Sequence, residues 1–231
     1  MSARDTILVI ETSNPTAGGD STSAFVAMAS ADGTLIDSEP LSSIRGGRDD
    51  LHPAIERLRA RTGRGPDRLA SVAVSVGPGG YTGLRVAVSA AALIAECAGI
   101  GVVELPTALV AARSVPLDSA PRGIVLASKG DTCHLSVQPD QHTLEDRGVV
   151  RADAFEALDL TGVLADAHLP APVRDRLDAL GVRIEPIRFA PEHACALAAE
   201  LDTIDPVAVR VRYAREPDAV TQWRLRHPPP Q

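Results

Sequence analysis

The residues best suited to chemistry fall in two short segments. The first is Gly77-Pro78-Gly79-Gly80-Tyr81-Thr82-Gly83-Leu84-Arg85, a glycine-rich turn between an apolar run and a helix-like stretch. Amide N–H groups exposed at a helix N-terminus can dock an anion, so Gly77, Gly79, Gly80, Thr82 and Gly83 are candidate phosphate-binding positions. The spacing is neither the G-x-G-x-x-G dinucleotide fingerprint nor a Walker A loop, because no Lys-Ser/Thr pair follows. The alternative is a structural turn that lets the helix lie close on a sheet. The second segment, Glu11-Thr12-Ser13, sets a carboxylate and two hydroxyls at the end of an apolar strand, where open α/β sheets bind ligands. A strand end with its own local cap accounts for the same residues.

Other chemistries find little support. His52, His134, His142, His168, His193 and His227 never occur at H-x-x-x-H or H-x-E spacing, so no metal site is expected. No G-x-S-x-G elbow exists, and Ser13, Ser75, Ser89 and Ser128 have no recognisable base beside them. Cys97, Cys133 and Cys195 form no CxxC pair and read as buried thiols in a reducing compartment. Arg85 and Asp67 are expected to pair as surface ions.

The elements that must position these segments follow from hydrophobic periodicity. Thr6 to Ile10 reads as a buried strand, Ser23 to Ala29 and Thr34 to Ser38 as its meander partners, with Asp32-Gly33 as a tight turn. The loop between the first two runs from Asn14 to Ser21. Asp49 or Asp50 can cap a helix carrying Leu51, Ile55 and Leu58 at i, i+4 and i+7, closing near Gly63. Ser71 to Val76 is a fully apolar strand, followed by a helix from Tyr81 to Ala98 with no charge between Arg85 and Glu96. A helix apolar all round must be covered by the sheet on one side and by something else on another. Its small residues, Gly83, Ala87 and Ala90 among them, would let a second helix approach closely. Gly101 to Leu105 reads as a strand and Thr107 as the cap of a short helix ending by Arg113.

Past the linker Pro116 to Pro121 the pattern restarts in weaker form. Strands are expected at Gly123 to Ala127, Thr132 to Val137, Gly162 to Asp166 and Val182 to Glu185, and helices at Asp153 to Leu158, Pro172 to Leu180 and Pro191 to Leu201. This gives an N-terminal lobe over 1–115, a reduced C-terminal lobe over 116–215 and a flexible, proline-rich tail over 216–231.

Composition limits the function. The 231 residues allow one large or two small domains, and 45% hydrophobic with 23% charged residues suits a soluble globular chain. Aromatics make up 3%, so the core must be built from Ala, Val, Leu and Ile, and base-stacking platforms are scarce. A net charge of −7 disfavours tight, independent binding of a polyanion, even though every basic residue except Lys129 is arginine. The first residues lack a basic-then-apolar signal pattern and the apolar runs fall short of a membrane span, so a cytoplasmic protein without membrane contact is expected.

The stretch Gly77 to Arg85 resembles the G-P-G-S-F-T-G-L-R hallmark of the TsaB (YeaZ) family, with Gly80 for Ser and Tyr81 for Phe. Leu51-His52-Pro53-Ala54-Ile55 is similar to that family's L-L-P-x-I, Glu11-Thr12-Ser13 to its D-T-S opening, and Tyr213-Ala214-Arg215 to its Y-x-R. The resemblance implies an α/β, actin-like ATPase fold (ASKHA, ribonuclease H-like) in two related lobes with mixed sheets flanked by helices. It implies a non-catalytic dimerization subunit that binds a TsaD-like paralogue and, with a TsaE-like ATPase, serves threonylcarbamoyl transfer to adenosine 37 of tRNA. Such a subunit meets tRNA only through the complex and forms a homodimer when alone. Pairing through two N-lobe helices, packed as a four-helix bundle, marks Leu51, Ile55, Leu58, Gly83, Ala87, Ala90 and Ile94 as interface residues. The resemblance makes no cofactor certain; ATP or ADP at the complex interface is the candidate, with Glu11, Thr12, Ser13 and the Gly77 to Gly83 loop as its contacts.

Departures from the family pattern are local. Glu11 replaces Asp, the loop from Asn14 to Ser21 is longer than a tight hairpin, and Gly47-Arg48-Asp49 replaces H-S-E. Ala127-Ser128-Lys129-Gly130-Asp131-Thr132 stands for D-A-R-x-G-E-V-Y, and the histidine pair of the catalytic sibling is missing. Two rival functions remain open on sequence: a small ASKHA-type ATPase or kinase-like enzyme using Glu11 and the Gly77 to Gly83 loop, and a tRNA-binding module, which the acidic charge disfavours.

Overall fold

Two sheets of one plan organise the chain. The computed structural model describes residues 4–14, 23–41, 50–116, 120–128, 130–140, 143–215, 222–224 and 226–227. In the first sheet Thr6–Glu11 (β1) pairs antiparallel with Phe25–Ser30 (β2), and β2 antiparallel with Leu35–Pro40 (β3). After helix Leu51–Thr62 (α1), strand Leu69–Gly77 (β4) joins the other edge of β1 in parallel. Helix Tyr81–Ala98 (α2) crosses to Gly101–Pro106 (β5), parallel to β4, completing the order β3-β2-β1-β4-β5. Helix Thr107–Ser114 (α3) then leads into the second sheet.

There Arg122–Ala127 (β6), Thr132–Gln138 (β7) and Glu145–Arg151 (β8) form an antiparallel meander, while Gly162–Ala165 (β9) and Arg183–Pro186 (β10) extend β6 in parallel. The order β10-β9-β6-β7-β8 is that of the first sheet, a meander of three strands followed by two parallel additions. Helices Ala171–Ala179 (α4) and Pro191–Glu200 (α5) complete the elements, with a 3-10 helix at Ala152–Ala157 where a helix over Asp153 to Leu158 is expected. β8 is not expected from the sequence. Its Glu145, Asp146, Arg147 and Arg151 face water at a sheet edge, and such charge reads as loop even where it protects an edge strand.

The layers follow from strand alternation. Leu8, Ile10, Val72 and Val74 turn to one side of the first sheet and pack beneath α1 and α2. Ile7, Val9, Ala73, Val103 and Leu105 turn to the other and meet α3, α5 and the Ile124, Leu126 and Leu164 side chains of the second sheet in one continuous core. The outer face of the second sheet, with Val125, Leu135 and Val163, is closed by Phe155 and by Val173 and Leu177 of α4. The two lobes thus share α3 and α5 as a common filling.

Several details differ from expectation. α5 packs against the first sheet, and Ile204 pairs with Val102 of β5, so the chain after residue 190, expected in the second lobe, returns to the first. Asp50 precedes α1 without a side-chain cap; its carboxylate instead accepts hydrogen bonds from Arg57, while Asp49 lies outside the described residues. Thr107 is the first residue of α3, not its cap, and its buried Oγ1 has no hydrogen-bond partner. Cys133 and Cys195 are buried, and desolvation pushes both thiols up to about 12, whereas Cys97 is exposed rather than buried. The Asn14 to Ser21 loop beyond Asn14, the segment Gly47-Arg48-Asp49, Lys129 and most of the 216–231 tail also lie outside the described residues. By length and composition α2 alone among the described residues could cross a bilayer, yet Leu84, Ala87, Val88, Ala91 and Ala95 are buried along the sheet.

Candidate functional site

The polar end of β1 and the glycine turn before α2 come together as one packed junction. Glu11 falls on the inter-sheet face of β1 and is 1% exposed. Its Oε1 accepts hydrogen bonds from the Ser13 backbone N–H at 2.7 Å and from the Ser13 hydroxyl, and its Oε2 has no partner. Burial raises the carboxyl to about 7 against the opposing pull of those hydrogen bonds, so at neutral pH it is shared between its acid and its anion. The carboxylate therefore works locally, as a cap on the turn that follows its own strand.

The glycines are explained by how closely backbone meets backbone. Gly77 has φ +107°, and a Cβ there would stand 2.3 Å from the Arg212 carbonyl oxygen. A Cβ on Gly79 would stand 2.2 Å from the Ser13 carbonyl oxygen, the same atom that accepts the Gly80 N–H at 2.6 Å. Thr12 Oγ1 donates to the Gly83 carbonyl at 3.1 Å, and the Thr12 N–H donates to Ser75 Oγ at 3.1 Å. The space that a side chain would need at Gly77 and Gly79 is taken by backbone, that of residue 212 and that of Ser13. This close packing is what the structural reading requires of these two glycines: α2 is stitched onto the ends of β1 and β4. Thr82 is exposed at the start of α2.

Arg85 does not pair with Asp67. Its Nε donates to the Tyr213 hydroxyl at 2.9 Å and its guanidinium carbon lies 4.5 Å from the Tyr81 ring centre. Tyr81 and Tyr213 stack with ring centres 5.2 Å apart. The Y-x-R segment and the glycine segment, singled out separately in the sequence, are thus one surface feature.

The second candidate site lies along the outer face of α2. An open groove of about 640 Å³ runs between α2 and α1, floored by Leu51, Ile55, Ala90 and Ile94 and rimmed by Val86 and Leu93. Leu93 is 65% exposed and Val86 39%, although both are apolar. The described part of the second lobe does not cover this face, since the shared helices α3 and α5 lie on the opposite side of the sheet. Of the expected interface residues, Ile55, Ala90 and Ile94 reach the groove. Leu58 and Ala87 do not: both are fully buried in the lobe's own core, because α1 and α2 turn these positions onto the sheet. Leu51 is buried too but lines the groove floor, and Gly83 is held against Thr12. The outward stripe is exposed Val86, Leu93 and Cys97 with half-buried Ala90, at i, i+7, i+11 and i+4, rotated about 60° from the expected interface stripe of Gly83, Ala87, Ala90 and Ile94. That spacing is legible in the sequence, but it competes with a run in which nearly every position is apolar. Among the described residues no three His, Cys, Asp or Glu side chains converge as metal ligands.

With this geometry in place, the comparisons are specific. The family model described as tRNA N6-adenosine threonylcarbamoyltransferase (TsaD) matches residues 40–196, more than half of the chain. The structure of an uncharacterized protein with similarity to peptidase YEAZ from Pseudomonas aeruginosa superposes with a TM-score of 0.65 at 16% identity, covering 91% of this chain and 100% of that one. YeaZ from Pseudomonas aeruginosa superposes with a TM-score of 0.62 at 16% identity, covering 90% of this chain and 99% of that one. No curated protein sequence matches the chain.

Proposed function

The chain belongs to the TsaD family, with the fold of the YeaZ structures, and on this premise we propose that it is of that family's TsaB (YeaZ) group and is the non-catalytic dimerization subunit of a tRNA-modifying assembly. It binds and stabilises a TsaD-like threonylcarbamoyltransferase acting on adenosine 37 of tRNA, alongside a TsaE-like ATPase in the cytoplasm, and pairs with itself when that partner is absent. The observation that carries this reading is the apolar α1–α2 groove with Leu93 standing out of it. A leucine exposed on a helix without a charge between Arg85 and Glu96 exposes apolar surface that a second pair of helices would remove from water. The Glu11 carboxylate and the glycine turn support the same reading, because both engage Ser13 and so fix the turn from which α2 starts.

The test is a charge placed on that face. Leu93→Glu changes an exposed side chain and leaves the core untouched, so its circular dichroism should match the parent, whereas a charge buried at the interface would cost several kcal/mol of association and lower the melting point by what dimerization contributes. Size-exclusion chromatography should show the variant as a monomer that fails to co-elute with the TsaD-like partner. Elution identical to the parent, alone and with the partner, would refute the assignment.

A further inference from the structure

α2 carries a second exposed feature on a different face. Both tyrosines of the chain, 81 and 213, meet there in a stack, although aromatics are only 3% of the residues. They are 46% and 37% exposed, so neither serves the core. Arg85 joins them as a planar cation, packed over Tyr81 and hydrogen-bonded to the Tyr213 hydroxyl. Beside the cluster lies an open pocket of about 500 Å³ with Val88, Val209 and Val211 as its apolar floor and Arg85, Arg210 and Tyr213 around it. That is the size of a small-ligand site. Arg212 nearby is paired with Glu104, which leaves Arg85 and Arg210 as the cations on the pocket wall. Arg210 is anchored there through the Val207 and Val209 carbonyls.

An aromatic face backed by a second ring, a planar guanidinium and a second arginine, above an apolar floor, is the chemistry that takes a nucleobase by stacking and its phosphate by charge. We propose that this pocket holds one nucleotide of single-stranded RNA, with Tyr213 and Arg85 as the stacking wall, Arg210 as a phosphate contact, and Tyr81 positioning Tyr213 from behind. The inference rests on the proposed membership of a tRNA-modifying assembly, since the chain's net charge of −7 makes this a local contact to RNA held chiefly elsewhere. It also accounts for Tyr81, Arg85 and Tyr213, which the scaffold role leaves unused.

The test is a titration of the full chain with a five-nucleotide single-stranded RNA at low salt, followed by two-dimensional amide NMR. Shifts are expected at residues 85–89 and 209–213, with affinity falling about 2.5-fold between 50 and 200 mM salt for one phosphate contact. Tyr213→Ala should weaken binding at least about fivefold, Arg85→Ala likewise, and Tyr213→Phe, which keeps the ring, should bind within about twofold of the parent. Leu93→Glu, which tests the scaffold groove, should bind RNA as the parent does, so the two readings fail separately. The wild-type shift map does not depend on how any variant folds. Unmoved resonances at millimolar RNA would overturn the proposal. The same shifts produced by pyrophosphate alone would overturn it too, because they would show a charge contact without base recognition.

Discussion

Glu11 shows how burial sets a residue's chemistry. Its carboxyl is removed from water and receives two hydrogen bonds from Ser13 on one oxygen, none on the other, so desolvation outweighs the stabilisation of its anion. The folded-state value near 7 lies above the ordinary carboxyl value of 4.5. The folded chain therefore binds the proton more tightly than the unfolded chain. The associated stability is fully present below about pH 4.5 and is lost as pH rises through 7, a span worth about 3 kcal/mol. Glu11→Gln keeps an acceptor for the Ser13 donors and cannot ionise. Urea denaturation at pH 5 and pH 8 should show little difference between variant and parent at the lower pH, and a more stable variant at the higher. A parent whose stability is flat across this range would show that the carboxylate finds a partner when it ionises.

At the scale of elements, the junction of β1 with α2 is the joint on which the groove depends. Two adjacent glycines separate its requirements. At Gly79 an added Cβ would collide with the Ser13 carbonyl at 2.2 Å, backbone against backbone, whereas at Gly80 it would stand 3.6 Å from the same oxygen. Gly79→Ala should lower stability by about 2 kcal/mol or more through strain and displacement of α2. Gly80, with φ −62°, should accept alanine almost without cost, and differential scanning calorimetry of the pair measures the contrast. This joint was only half legible in the sequence. The run from Ser71 through Ala98 announces strand, turn and helix through uninterrupted apolar residues and glycine. What the turn is for depends on Ser13 and Arg212, which lie 66 and 133 residues from Gly79 and carry no local signal of contact. The same limit explains Arg85, assigned to Asp67 by charge but drawn to Tyr213 across 128 residues. It explains Leu58 and Ala87 as well. Periodicity identified apolar helix faces, but which of two neighbouring stripes met the sheet was decided by the lobe's own packing.

Across the whole molecule, the return of the chain after α5 ties the lobes together. Ile204 exchanges backbone hydrogen bonds with Val102 at 2.7 and 3.0 Å, Val209 is buried against the outer core of the first sheet, and the Arg212 N–H donates to the Val76 carbonyl at 2.7 Å. Because α3 and α5 fill the space between the sheets, neither sheet keeps a complete core without the other. Ending the chain after Leu201 uncovers Val102 and removes Ile204 and Val209, a loss of about 3 kcal/mol in apolar burial alone. For a chain of 231 residues that corresponds to a melting point lower by about 6–12 °C. Ending it after Arg215 keeps every one of these contacts and should leave the melting point unchanged. In the shorter chain, hydrogen exchange should accelerate together in β4 and β6, since the core they share is continuous through α3 and α5. Acceleration confined to β4 and β5 would mean that the second lobe holds together on its own and that the return segment clamps only the first.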